Sequence, residues 1–477
     1  MSLLLSLALV APLGQDPLQQ RADAWIEAHS GELHALNQSI WSNPEVGLAE
    51  HHASGELARF LEGAGFTVAR GVAGMPTAFV AEAGSGAPVI GILAEYDALP
   101  GMSQGAVPRR EARPGAPIGS PQDVGHACGH SIFGVGSAGA AAAAWAALHE
   151  SGRSGTIRLY GTPAEETGIG KVYMARAGLF DDLDAAFHWH AGDETRVSYS
   201  TCKAVVSAKF RFEGQAAHAS RSPEHGRSAL DAVELMNVGV NYLREHLRPD
   251  YRIHYVVTDG GGQPNVVPPR AEVWYYLRAD DHAYVEHMLE RVTEIAEGAA
   301  RMTRTEMTRQ LDSDLYELLP NRPLSELLQE ELDRVGPPRF DDAERAFAAA
   351  TQVDFEPVPD RPLADAVAPL SDEPHRVQAS TDVGNVSWRV PTSGLRVASY
   401  TLGAPGHSWQ IVACTGMSIG EKGMVVAART LASATLRAIR DPEICAAARA
   451  DFEARIEAGP VPRSVLPADQ GPPATIR

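Results

Sequence analysis

The densest chemistry in this chain lies in Gly125-His126-Ala127-Cys128-Gly129-His130, where a thiol and two imidazoles share one short stretch of backbone. Thiolate and imidazole are ligands for zinc and its first-row neighbours. The flanking glycines permit tight turns that a bulkier residue resists. The small, apolar run that follows, with an alanine tract between Gly134 and His149, predicts a helix. Cys128 then falls at or just before a helix N-terminus, where the macrodipole favours the thiolate. Taken alone, the segment reads equally well as a buried free cysteine beside two ordinary histidines. Residues further along tip the balance.

Several other candidates fall directly after a predicted strand. Glu95 and Asp97 follow Val89–Leu93, and Glu165 and Glu166 follow Thr156–Tyr160. His188 and His190 follow Ala185–Phe187, and His407 follows Arg396–Leu402. Ligands of open parallel α/β sheets bind outside the carboxyl ends of the strands. Segments distant in sequence would therefore deliver Cys, His and Glu to one sheet edge. That mixture suits two neighbouring divalent ions, which need a bridging ligand, terminal ligands and a water whose pKa they lower. A free carboxylate must take the proton from that water. Glu165 and Glu166 can divide the work, one as base and one as ligand. A Glu pair in a loop is otherwise solvated surface charge; this pair follows a buried strand and Thr-Pro.

The elements that must position these residues alternate strand with helix. That pattern predicts an α/β fold with a mixed, largely parallel catalytic sheet flanked by helices. Helices are expected over Arg21–Ser39 and Glu50–Ala64, and Met102–Val124 reads as a long Pro/Gly/Arg-rich loop. Near Ala204 the rhythm changes. Strands Ala204–Phe212, Arg252–Thr258 and Glu272–Arg278 with helices Arg227–His246 and Tyr284–Arg301 predict an inserted α+β domain, to which the resemblance given below assigns a dimerisation (lid) role. The expected organisation is a signal-peptide-like leader at 1–20, catalytic domain 21–203, inserted domain 204–311, and catalytic domain again 312–445. A tail follows at 446–477, its end from Gly459 rich in Pro and Ala and expected to be disordered.

At 477 residues the chain exceeds one ordinary core. A net charge of −19 argues against nucleic acid or an anionic membrane as partner. Cys128, Cys202, Cys414 and Cys445 are too scattered for a disulfide framework. The apolar stretch Leu3–Leu13 is too short to span a bilayer but suits the core of an export signal, although no Lys or Arg precedes it. Export after signal cleavage is the expectation, with a cytoplasmic protein the alternative.

These residues carry a resemblance. Gly125-His126-Ala127-Cys128-Gly129-His130, Pro163-Ala164-Glu165-Glu166 and Gly406-His407 resemble the dinuclear metal-dependent aminoacylase and carboxypeptidase family. Within it, the branch of the p-aminobenzoyl-glutamate hydrolase B subunit is similar also at Glu95-Tyr96-Asp97-Ala98-Leu99-Pro100, Arg227-Ser228-Ala229-Leu230-Asp231 and Pro264-Asn265-Val266-Val267-Pro268. Ser380-Thr381-Asp382-Val383-Gly384 and Pro405-Gly406-His407-Ser408-Trp409 extend the match, which runs from about Arg21 to Arg440.

The resemblance implies a hydrolase that releases an amino acid from N-acyl or aroyl amino acids or dipeptide-like substrates, using two zinc or manganese ions. By it, Cys128 bridges the metals, Glu166 and His407 complete one site, and His130 and His190 complete the other. Glu165 is the implied general base, and Asp97 orients ligands from behind. His218 is implied to reach a partner subunit's site and stabilise the oxyanion there, and Asn265 and Arg278 to hold the substrate's α-carboxylate. A homodimer follows, with a heterodimer of related subunits as the alternative. His188 competes with His190, which the alternation of strand faces favours. His126 reads as a supporting loop residue, and His225, His246, His254 and His375 as ordinary histidines. Two departures, Ser131-Ile132-Phe133-Gly134 for the usual Asn-Leu-Leu-Gly and Asn385 for the usual Asp, touch no implied ligand. Two other readings are a non-catalytic subunit of such a hydrolase and a thiol hydrolase with Cys128 as nucleophile and His130 as base. The second leaves Glu166, His190 and His407 without a role.

Overall fold

The computed structural model describes residues 16–475, so the apolar stretch Leu3–Leu13 lies outside the described residues. In chain order the elements begin with α1 (Pro17–Ala28), α2 (Ser30–Ser42), α3 (His51–Gly63), β1 (Thr67–Arg70), β2 (Phe79–Ser85) and β3 (Val89–Ala94). Next come α4 (His130–Ser151), β4 (Gly155–Gly161), α5 (Gly170–Arg176), β5 (Ala185–Gly192) and β6 (Arg196–Val197). A second group comprises β7 (Ala204–Glu213), α6 (Ala229–Leu243), β8 (Arg252–Asp259), β9 (Arg270–Ala279), α7 (His282–Thr303) and β10 (Glu306–Leu315). The chain closes with α8 (Arg322–Val335), α9 (Asp342–Thr351), α10 (Val383–Ser387), β11 (Thr392–Ala398), α11 (Trp409–Thr415), α12 (Ser418–Arg440) and α13 (Pro442–Glu457).

The seven-stranded sheet has the order β1-β2-β4-β3-β5-β11-β6. Its four central strands, β4, β3, β5 and β11, run parallel, and the edges are antiparallel. Period-two alternation decides which residues face the helices. Ile90, Ile92, Ile157, Leu159, Phe187, Trp189, Leu395 and Val397 bury themselves among the residues of α4 and α12. Leu93, Tyr160 and Ala186 join the opposite core instead. His188, His190 and Arg396 share that opposite face by parity. Helix α4 is long and apolar enough to cross a membrane, but its small side chains let it thread the core, where most of its residues are buried.

The second sheet, β8-β9-β7-β10, is antiparallel throughout. Helices α6 and α7 cover one face, packing Val233, Met236, Val285 and Val292 with Phe210, Val273 and Tyr275.

The structure departs from the sequence expectations in five places. The first helix is two, broken at His29, whose N–H turns back to the carbonyls of Trp25 and Glu27. Residues 17–20, assigned to the leader, open α1: Pro17 has no N–H to satisfy, Asp16 caps Leu18 at 2.9 Å, and Leu18 and Gln19 are buried. Strand β10 carries polar residues along its length and so had no apolar signature, and β11 begins four residues earlier than Arg396. The end of the tail, expected to be disordered, lies against the body of the protein. Arg176 donates to the carbonyls of Leu466 and Pro467, Val465 N–H donates to Asp314 at 2.8 Å, and Leu466 is buried. Side chains elsewhere thus supply partners to the backbone of this Pro-rich segment.

Candidate metal centre and substrate cavity

Gly129 caps α4 in the left-handed region (φ 81), and a Cβ there would lie 2.6 Å from that of Ala191. Only glycine makes this turn, which sets Cys128 just before the helix and His130 as its first residue. Glu165 and Glu166 stand in a short 3₁₀ turn after β4. The turn is entered through Ala164 in the left-handed region (φ 54), whose N–H is held by Glu50 at 2.7 Å. His407 is left-handed as well (φ 55). Such non-glycine positions cost about 1–3 kcal/mol each and gather at functional sites.

The donor atoms of Cys128, His130 and His190 lie within 4.8 Å of one another, as do those of Cys128, Glu166 and His407. Cys128 belongs to both groups. Its Sγ is 3.3 Å from His190 Nε2, and His407 Nε2 is 3.2 Å from Glu166 Oε2. His190 Nδ1 bonds the Ala191 carbonyl at 2.7 Å, which turns the lone pair of Nε2 toward the thiol. His130 Nδ1–H donates to Asp97 Oδ1 at 2.8 Å, leaving its Nε2 to face the cluster. That Nε2 and Glu166 Oε1 are buried without a hydrogen-bond partner. A shared thiolate, imidazoles, a carboxylate and two orphaned donor atoms fit a pair of divalent ions with one bridging ligand.

Asp97 does more than orient His130, since its second oxygen accepts Glu166 N–H at 3.0 Å and ties the ligand turn to α4. Glu165 Oε2 lies 3.9 Å and Glu95 Oε2 3.2 Å from His130 Nε2. Burial, reinforced by the charges of Glu95 and Asp382, pushes the Glu165 carboxyl well above the usual range. Beneath it sits a group that the sequence reading missed. The Lys171 ammonium, fully buried, contacts Glu95 Oε1 at 2.7 Å and Asp382 Oδ1 at 2.6 Å. Its readable signal was a lone charge in the run Gly168-Ile169-Gly170-Lys171-Val172. His188 and His190, two apart on one strand, share a face, so the alternation invoked to separate them does not. Distance along β5 does, with His190 nearer the carboxyl end and the thiol. Burial pushes His188 and His126 each down to about 3 and keeps both neutral.

Behind the cluster opens a cavity of about 350 Å³, lined on the second-sheet side by Tyr276 and Arg278. Arg278 Nη1 donates to Ser380 Oγ at 3.0 Å, and its Nε is buried without a partner. The structure does not bring Asn265 to it. Asn265 precedes β9 and Arg278 lies near its far end, and the stretch from Arg270 to Arg278 alone spans roughly 25 Å. Asn265 accompanies His218 instead: Ala219 N–H donates to the Asn265 carbonyl at 3.0 Å, and His218 bridges Val266. Both side chains are exposed and neither lines the cavity.

An α/β sheet carrying this donor pair at its strand ends defines a dinuclear metal-dependent hydrolase of linear amide or peptide bonds. The sequence model of peptidase family M20/M25/M40 matches residues 91–437, and the chain belongs to that family. It is 38% identical to the B subunit of p-aminobenzoyl-glutamate hydrolase from Escherichia coli K12, over 93% of this chain and 98% of that protein. The Xaa-Arg dipeptidase of Mus musculus is 29% identical over 92% of this chain and 93% of its own length. In fold, the chain matches a Bacillus subtilis protein described as a dinuclear metal-binding peptidase of the M20 family. That match has a TM-score of 0.54 at 17% identity and covers 87% of this chain and 99% of the other.

Proposed function

We propose that this hydrolase releases an amino acid from N-acyl or N-aroyl amino acids or dipeptide-like substrates, with zinc or manganese held by Cys128, His130, Glu166, His190 and His407. The observation that carries this reading is the thiol of Cys128, common to two donor groups, with the largely buried Glu165 beside them at 3.9 Å from His130 Nε2. When bound, the ions acidify a water and polarise the scissile carbonyl. Glu165 takes the proton from the attacking water and returns it to the leaving nitrogen. A carboxyl already held above its usual range suits a group that must carry a proton part of the time. Asp97 keeps the His130 ring in one tautomer, and Arg278 pairs with the α-carboxylate of the substrate.

His218 and Asn265 lie outside the cavity of their own chain, so a second chain is proposed to receive them together. Two exposed features support a homodimer through the second sheet. Strand β8 is an unpaired edge that exposes Val256 and Val257, and α6 exposes Val238 and Tyr242. The Escherichia coli relative is named as one of two subunits of its hydrolase, which keeps a heterodimer as the alternative.

The test is a panel of N-acyl amino acids offered to zinc- and manganese-loaded protein, with Glu165→Gln alongside. The variant should retain both ions and lose at least ~10²–10⁴-fold in turnover. Absence of metal after reconstitution, with activity intact in chelator, would refute the proposal.

A further inference from the structure

The wall of the cavity opposite the lid sheet carries charge that the proposed reaction does not use. Strand parity places Arg396 on the same face as His190, and the register pairs the two directly across β5 and β11. On its other side Arg396 pairs with Arg196 of β6. The row His190, Arg396, Arg196 therefore crosses three adjacent strands, leading from a metal-ligand candidate to two guanidinium groups. All three line the cavity. Directly opposed like charges destabilise a ladder, with Cβ atoms about 5 Å apart. Among the described residues, no carboxylate lies within ion-pair distance of either arginine. Asp193 and Glu194, in the turn before β6, act on Arg196 only at longer range. Arg396 has the Tyr400 hydroxyl as a polar neighbour, which carries no charge. An opposed arginine pair without a counterion, in a cavity that also holds Arg278, calls for an anionic ligand.

Resting on the hydrolase reading above, we propose that Arg396 and Arg196 are specificity determinants. They receive a second carboxylate of the substrate, distinct from the one assigned to Arg278. The substrates are then dicarboxylic: N-acyl derivatives of acidic amino acids, or amino acids whose acyl group carries a carboxylate. A cationic side chain is excluded by the same wall, since no acid is presented to it there. Planar guanidinium forks suit bidentate pairing with a carboxylate, and two of them facing one anion fix its position along the strand row.

The experiment compares kcat/KM for N-benzoyl-glutamate and N-benzoyl-glutamine, and for N-succinyl-alanine and N-butyryl-alanine, on metal-loaded wild type, Arg396→Gln and Arg196→Gln. Wild type should prefer the dicarboxylate of at least one pair, and that pair locates the second carboxylate on the amino-acid or the acyl side. Each substitution should lower the preference on the order of 30-fold, mainly through KM. Arg396→Lys, which keeps the charge without the fork, should retain part of it. Thermal shift by N-benzoyl-glutamate against N-benzoyl-glutamine, and by N-succinyl-alanine against N-butyryl-alanine, reads the same wall without turnover. Loss of all hydrolysis with the shift preference intact would therefore remove the proposed function and leave this inference standing. Equal use of charged and neutral partners by wild type, or a preference unaltered in both folded glutamine variants, would overturn it.

Discussion

Lys171→Met is the sharpest test of how the site is held in place. The Lys171 ammonium is fully buried between Glu95 and Asp382, at 2.7 and 2.6 Å, and its backbone N–H adds a bond to Asp382 at 2.9 Å. Methionine keeps an unbranched apolar stem one atom shorter than lysine, so the substitution removes the charge with little change of volume. It leaves two buried carboxylates without a cation. Breaking a buried pair from one side costs about 3–5 kcal/mol. The loss should stay in that range rather than double, because one carboxylate can take up a proton and become neutral. Proton uptake by the folded variant also sets a sign: its deficit relative to wild type should narrow as pH falls. The assay is urea denaturation in chelator, so that altered metal affinity does not enter as ligand stabilisation. Lys171→Met/Asp382→Asn should be less damaged than the two single losses added together, since it removes one stranded charge with its cation. A single variant within about 1 kcal/mol of wild type, or strictly additive losses, would show that the triad carries no coupled energy.

Arg278→Ala should lose on the order of 2–5 kcal/mol of transition-state binding for a free acid and little for the matching amide-capped substrate. Equal losses in kcat/KM on the two would remove Arg278 from carboxylate recognition. Mixing inactive His218→Ala chains with inactive Glu165→Gln chains should restore activity once mixed dimers form; none in verified mixed dimers would place His218 in its own chain or outside catalysis. Burial pulls His282 down, but its bond to Asp314 at 2.6 Å outweighs this and holds it above the ordinary value. Its stabilisation is then fully present below pH ~6.5 and lost as pH rises through the raised value. His282→Gln should therefore lower the melting temperature more at pH 5.5 than at pH 9, and equal deficits would exclude this linkage.

How much of this was readable follows from how local each signal was. The strand ends that carry Glu95, Glu165 and His190 could be found because apolar runs and the turns after them are short-range features. Cys128 and His130 announce themselves within one loop. What escaped depends on register or on distant partners. Lys171 meets Asp382 across 211 residues of sequence. The row of His190, Arg396 and Arg196 exists only once three strands have aligned. Asn265 and Arg278, which the resemblance sets on one carboxylate, stand apart within this chain because most of β9 lies between them.

The missed groups nevertheless share a local mark, which is a single charge inside an otherwise apolar segment: Lys171 before Val172-Tyr173-Met174, Arg396 between Leu395 and Val397. A charge in such a run costs several kcal/mol to bury unless something pairs with it. Within one chain the two cases resolve differently. Lys171 finds its acids inside the fold and so acts as a brace for Glu95 and, through Asp382, for α10. Arg396 finds another arginine beside it and opens onto the cavity. The first is complete without a ligand; the second is not. That difference, visible only in the folded register, separates a residue that holds the site from one that waits for what enters it.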